Sequence, residues 1–148
     1  MPKFLKLEEV YSSCQNKGYL IHQEAINPKR VNSMIQIADE TLDSAKDDLV
    51  KKRFNSAYNS YYNVLHGLVE AFLCFDEIKS KNHQCLFAYL CHKHPELELN
   101  WDFFEKIRTK RNGINYYGNP VDLKDWKDVE ITFNLYIKLL REKIKELI

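Results

Sequence analysis

Residues 54–75, FNSAYNSYYNVLHGLVEAFLCF, form the most apolar helical stretch of this chain. Six of its apolar side chains recur at intervals of three or four residues: Ala57, Tyr61, Val64, Leu68, Ala71 and Phe75. Four more widen the stripe: Tyr58, Leu65, Val69 and Phe72. This spacing is typical of one face of an α-helix, and a stripe this wide predicts a helix that packs on several sides. We therefore expect it to be the central helix of its domain.

Helical spacing continues on both sides of this central stretch. The flanking helices are predicted from Asn32 or Ser33 to Leu49, from His83 to His92, from Asn100 to Tyr116, and from a cap at Asp122 to the end of the chain. The sequence holds only four Gly and four Pro, which argues against a fold with many strands and turns. We predict an all-α fold, an antiparallel up-and-down bundle of four to five helices joined by short links.

The chain divides into two unequal parts. Residues 1–28 are predicted to form an N-terminal extension with a short helix, about Leu5 to Asn16, followed by a loose connection. Residues 29–148 are predicted to form the bundle, and a length of 148 residues fits a single core. Three roles remain open for the extension, which can cover a cleft, contact a partner or add to the bundle.

Composition narrows the functional classes. The formal charge is +1, so the chain is not a bulk polycation and any contact with nucleic acid must use a local patch. The absence of a long apolar run or a secretory h-region predicts a cytoplasmic protein that does not contact membranes. The four cysteines have irregular spacing, which predicts reduced and mostly buried thiols: Cys14, Cys74, Cys85 and Cys91.

Arg111 is the most informative charged residue. It continues an apolar stripe on the penultimate helix with Phe104, Ile107 and Ile114. A guanidinium on an apolar face must be paired or must line a cleft. It is therefore either a two-pronged phosphate clamp or one half of a structural Arg–carboxylate pair beside a solvated basic face. The other basic residues of this helix are Lys106, Arg108 and Lys110.

Glu70 lies among apolar residues of the central helix, so it needs a partner unless it faces solvent. Arg111 is the first candidate for that partner. His66 lies one helical turn before Glu70, and it either reaches the same cleft or is a packed core histidine. The tyrosines of this helix, Tyr58, Tyr61 and Tyr62, are expected to serve core and dimer packing.

Two stretches resemble a known family. SAYNSYYNVLHGLVEAFL, residues 56–73, resembles the aromatic-rich helix ending in Glu-Ala of HEPN domains. Arg111-Asn112, followed by Tyr116-Tyr117-Gly118, resembles the Arg-x4-6-His region of the same family. The resemblance covers about residues 30–147. The second motif is short, and its value comes from lying on the penultimate helix, about 40 residues after the Glu-Ala helix.

The resemblance implies a homodimer in which two Arg-centred motifs face each other across a cleft. Active members are metal-independent ribonucleases, often encoded beside a small nucleotidyltransferase, in which Arg holds the phosphate and His moves protons. Here Tyr116 occupies the position of that His, and a phenol with a pKa near 10 is a poor general base. A Tyr that the partner modifies in some members corresponds to Gly118, so Tyr116 or Tyr117 would have to substitute.

The sequence therefore predicts a HEPN-like protein, the toxin half of a nucleotidyltransferase–HEPN pair. It binds RNA or a nucleotide in a dimer cleft lined by Arg111, with weak or absent ribonuclease activity. The alternative is a non-enzymatic dimeric protein-interaction module. The residues expected at the site are Arg111, Tyr116 and Glu70 for chemistry, and Asn112, Asn115, Arg108, Tyr117 and His66 for substrate contact.

No cofactor or metal is expected, because the sequence holds no Gly-rich phosphate loop and no cluster with metal-ligand spacing. The nearest approach to such a cluster points in divergent directions if it is helical: Cys85, Cys91, His92 and His94. His83, at the start of the same helix, is expected to be a surface or terminal residue.

Overall fold

The computed structural model describes residues 5–148. Within them the chain forms six α-helices: α1 Leu7–Asn16, α2 Pro28–Val50, α3 Phe54–Leu73, α4 His83–Lys93, α5 Trp101–Tyr117 and α6 Leu123–Leu147. Two short strands, β1 Ile21–His22 and β2 Ile78–Lys79, pair antiparallel, with Ile21 opposite Lys79. The predicted all-α helical bundle is confirmed, and no helix within residues 5–148 is long and apolar enough to cross a membrane.

Helix α3 is the centre of the bundle, as its wide apolar stripe predicts. It contacts α2, α4, α5 and α6. On the side facing α6, its aromatic rings pack against indole and phenyl rings. Tyr61 lies 4.6 Å from Trp126 and 5.7 Å from Phe133, measured between ring centroids. Burial of such rings supplies much of the free energy that holds a small helical domain together.

The helix ends follow local capping chemistry. Asp122 and Asp125 cap α6 reciprocally, since each carboxylate accepts a hydrogen bond from the other residue's backbone N–H. The predicted start of α2 is wrong: the helix begins at Pro28 rather than near Asn32. Asn27 caps it, with Oδ1 2.9 Å from the backbone N of Lys29, and proline is well suited to the first helical position.

The N-terminal segment is tied to the bundle through its helix. Helix α1 packs against α4, where a disulfide joins Cys14 to Cys85 with their Cα atoms 5.7 Å apart. The prediction of reduced thiols is therefore wrong for this pair, because packing brings together positions 71 residues apart in the chain. Because reduced thiols are typical of cytoplasmic proteins, this disulfide pair does not support the prediction of a cytoplasmic location. Cys74 and Cys91 are free and buried, as predicted.

The predicted loose connection after α1 is also wrong in part. Strand β1 holds this segment against β2, and the backbone N–H of Gln23 donates to the carbonyl oxygen of Glu77 at 2.9 Å. Strands of two residues are too short to show an alternation of polar and apolar side chains, so no sequence pattern indicates them. Residues 1–4 of the predicted extension lie outside the described residues.

Candidate functional site

A compact group of polar and aromatic side chains lies where α3 faces the start of α4 and the last turns of α5. We call it the Arg111 cluster: Tyr62, His66, His83, Arg111 and Tyr116. The rings of His66 and His83 stack with their centroids 3.8 Å apart. The Tyr62 hydroxyl lies 2.9 Å from Nδ1 of His83. The Arg111 guanidinium lies 5.1 Å from the Tyr62 ring and 6.0 Å from the Tyr116 ring, so it contacts two aromatic faces.

The charge of Arg111 has no carboxylate partner within residues 5–148. The other basic side chains of α5 all have one: Lys106 with Asp128, Arg108 with Glu105, and Lys110 with Asp125. The hydrogen bond that Arg111 makes runs from Nη1 to Oδ1 of the adjacent Asn112, at 3.3 Å. Because Arg111 is half-buried, its charge has lost part of its hydration without gaining an ion pair.

The predicted pairing of Glu70 with Arg111 is wrong. Glu70 Oε1 lies 2.9 Å from Nδ1 of His66, and its side chain is 45% exposed. These two residues are one turn apart on α3, so the local partner is reached without bridging to another helix. Burial raises the pKa of the Glu70 carboxyl, but the hydrogen bond to His66 and the charges of His66, His83 and Arg30 outweigh it, so the pKa is lowered. Glu70 therefore belongs to the edge of the cluster through His66.

Arg108 serves a structural pair that the sequence reasoning did not find. Its Nε and Nη2 donate to the two carboxylate oxygens of Glu105 at 3.0 and 3.2 Å. Glu105 is only 3% exposed and also accepts a hydrogen bond from Gln84 at 3.1 Å. A buried carboxylate requires such partners, so Arg108 is less available to a ligand than Arg111 is.

The end of α5 carries the remaining predicted contact residues. Asn115 Oδ1 accepts a hydrogen bond from Nδ2 of Asn59 at 2.9 Å, which links α5 to α3. Tyr116 and Tyr117 are 67% and 75% exposed. The structure thus brings Tyr116, Asn112 and Arg111 together and leaves two phenol rings open to solvent beside them.

His83 is the functional candidate that the sequence reasoning missed. It is the first residue of α4 and half-buried, rather than a surface residue. Burial, followed by the charges of His66 and Arg111, lowers the pKa of His83 to about 4. Its ring is therefore neutral at pH 7. No spacing rule reveals it, because a residue at a helix start belongs to no apolar stripe.

The cluster can hold an anion on Arg111 beside two imidazole rings. Tyr62 contributes a phenol whose pKa is raised, since burial outweighs the opposing charges of Arg111 and Arg108. His66 keeps a buried ring nitrogen, Nε2, without a hydrogen-bond partner in the described part of the chain. No family model, curated protein or solved structure matches this chain.

Proposed function

We propose that this chain is a HEPN-like protein that binds a phosphate group of RNA or of a nucleotide at Arg111. In this proposal it is the toxin half of a pair with a small nucleotidyltransferase, and it acts as a homodimer. One observation carries the proposal: within residues 5–148 Arg111 is half-buried without a carboxylate partner, whereas every other basic side chain of α5 has one. A guanidinium fork matches the geometry of phosphate oxygens.

Exposed aromatic rings beside Arg111 favour nucleic acid over a simple inorganic anion as the ligand. Tyr116 and Tyr117 expose most of their surface next to Arg111. Exposed tyrosine rings stack on nucleobases, and such stacking tolerates any base sequence. Phosphate contact through Arg111 and base contact through these rings together fit a nucleotide unit.

The side chains around Arg111 favour weak or absent cleavage. Tyr116 takes the place of the motif histidine, and its phenol is a poor proton acceptor at neutral pH. His83 does not replace it, because a pKa of about 4 makes it a weak base and leaves almost no imidazolium at pH 7 to act as an acid. The proposed role is therefore binding, with catalysis as a minor activity.

The test is a binding titration of a fluorescently labelled single-stranded RNA octamer against the full chain. Arg111→Gln is expected to weaken binding roughly 10- to 100-fold, the range for losing a charge-assisted hydrogen bond. Lys110→Gln is the matched control, since it removes the same charge from the same helix at an ion-paired position. Equal affinities for Arg111→Gln and Lys110→Gln would contradict the proposal.

The weak-cleavage part has a separate test. Tyr116→His is expected to raise cleavage of the octamer, since a positioned general base typically contributes about 10²- to 10⁴-fold. Tyr116→Phe keeps the ring and serves as the control that gains nothing. If Tyr116→His cleaves no faster than Tyr116→Phe, the cluster is not arranged for this chemistry.

The alternative function, a dimeric protein-interaction module, has one supporting observation. Ile131 and Leu135 lie one turn apart on α6 and are 79% and 61% exposed. Adjacent exposed apolar side chains are typical of contact surfaces. Under this alternative, Leu135→Lys converts a dimer to a monomer in light scattering, while Arg111→Gln leaves the dimer intact.

A further inference from the structure

A second polar site lies at the β1–β2 ribbon, outside the Arg111 cluster. It is a cavity of about 420 Å³, within the range of roughly 300–1,000 Å³ that small-molecule sites occupy. Its polar lining comes from β1 and the segment after it, the first turn of α2, and β2: His22, Gln23, Glu24, Asn27, Arg30 and Lys79. The Gln23 side chain donates to the carbonyl oxygen of Ile78 at 3.0 Å, so hydrogen bonds to β2 fix one wall.

The charges of this cavity favour an anion. Arg30 and Lys79 form no ion pair within residues 5–148, and one carboxylate, Glu24, lines the cavity with them. His22 adds an imidazole. Gln23 and Asn27 add amide groups, which are suited to the hydrogen-bonding edges of bases.

The cavity is connected to the Arg111 cluster by Glu70. Arg30 and Glu70 line the same narrow recess beside the cavity, and the charge of Arg30 helps to lower the Glu70 pKa. Glu70 is bonded to His66, which stacks on His83 within the cluster. One polar strip therefore runs from the cavity to Arg111, and the cation at each end has no ion-pair partner in the described part of the chain.

We propose that the cavity is a second phosphate subsite, so that the ligand is a single strand of RNA that spans both ends of this strip. The inference rests on the proposed function, because it takes Arg111 as the first phosphate contact. A single strand carries a phosphate at every nucleotide and can bend into a cavity of this size. A mononucleotide has its phosphate at one end and reaches only one of the two sites.

The experiment compares a labelled uridine octamer with a labelled uridine dinucleotide over a series of salt concentrations. The variants are Arg30→Gln with Lys79→Gln, and Arg111→Gln, in the full chain, each first checked for an unchanged thermal midpoint. Lys46→Gln is the matched control, because Lys46 is exposed and lies on α2 away from the cavity lining. The double variant is expected to bind the octamer about tenfold or more weakly, with a salt slope lower by about 1.4, since each lost contact to a single strand removes about 0.7.

Two further results are expected if the subsite exists. Dinucleotide affinity stays the same in the double variant, because that ligand uses Arg111 alone. Glu24→Gln strengthens octamer binding, since it removes the one carboxylate that lines the cavity beside the two cations.

The outcomes separate this inference from the proposed function. If the double variant binds the octamer like Lys46→Gln while Arg111→Gln loses binding, the second subsite is wrong and the proposed function stands. If Arg111→Gln keeps wild-type affinity for both ligands, the proposed function is wrong, and a second subsite falls with it. Equal affinity for a duplex of the same length would overturn the choice of a single strand.

Discussion

The two sides of α3 use the same residue types for different purposes. Toward α6, on what we call the aromatic side of α3, Tyr58 and Tyr61 pack against Trp126 and Phe133 in a buried core. Toward α4 and α5, on what we call the polar side, the Tyr62 hydroxyl is hydrogen-bonded to the His83 imidazole and the Tyr62 ring lies beneath the Arg111 guanidinium. All three tyrosines are buried. The purpose of each is set by what the facing helix brings to it, which helical spacing alone does not reveal.

The largest expected effect comes from a substitution in the core on the aromatic side of α3. Phe133→Ala is expected to lower the free energy of unfolding by about 3–5 kcal/mol, since Phe133 is fully buried and its loss leaves a cavity. His83→Ala, on the polar side, is the comparison and is expected to cost less, because His83 is only half-buried. Urea unfolding measures both. Equal losses would mean that the polar side is as important to stability as the core.

The disulfide comes next in size. Replacing both Cys14 and Cys85 with Ser is expected to cost about 2–4 kcal/mol, because the bond closes a long loop in the unfolded chain. The substitutions should change the structure on the polar side of α3 more than on the aromatic side, since His83 lies two residues before Cys85. NMR shifts of the His83 ring and of the Phe133 ring measure this difference. Cys91→Ser is the control for loss of a buried thiol that forms no bond.

The buried residues on the aromatic side of α3 could be predicted from the sequence in some detail. Spacing assigns Tyr61, Val64 and Leu68 to one apolar face, and each of them is buried. This works because one helix alone determines which of its residues share a face. Capping chemistry likewise placed the start of α6 at Asp122.

The polar side could be predicted only in part. Arg111 is predicted from its spacing and Tyr116 from the family resemblance, but the partner of Glu70 is not predictable, because the choice between helices depends on their packing. His83 lies at a helix start, outside any apolar stripe. No pattern in the sequence distinguishes Glu105 from the other charged residues of α5. Local spacing thus finds a charged residue on an apolar face but not the residue that meets it.

A smaller effect concerns the dependence of folding stability on pH. His83 has a pKa of about 4 in the folded chain and an ordinary value of 6.5, so between these values the unfolded state binds more protons. Stability therefore falls as the pH drops from 6.5 toward 4, and below that window this group causes no further change of stability with pH. The groups that act on it are His66 and Glu70 on α3, and Arg108 and Arg111 on α5.

His83→Gln is expected to flatten the dependence of the unfolding midpoint on pH between 6.5 and 5. In that interval the carboxyl groups with a lowered pKa, such as Glu70 and Asp125, stay ionised in both states. Thermal unfolding at several pH values measures the slope. A variant that keeps the wild-type slope would show that His83 is protonated normally in the folded chain.

The smallest expected effect tests the cluster without any ligand. Arg111→Gln removes a positive charge near His83, so the His83 pKa should rise, while burial, the largest cause, still holds it below 6.5. NMR titration of the His83 ring measures the change, and Lys110→Gln should leave it unaltered because its charge is paired with Asp125. Binding of a phosphate group at Arg111 should raise the same pKa, since an anion stabilises the imidazolium. If neither change moves it, Arg111 does not lie beside His83, and the polar side of α3 is only another part of the packed core.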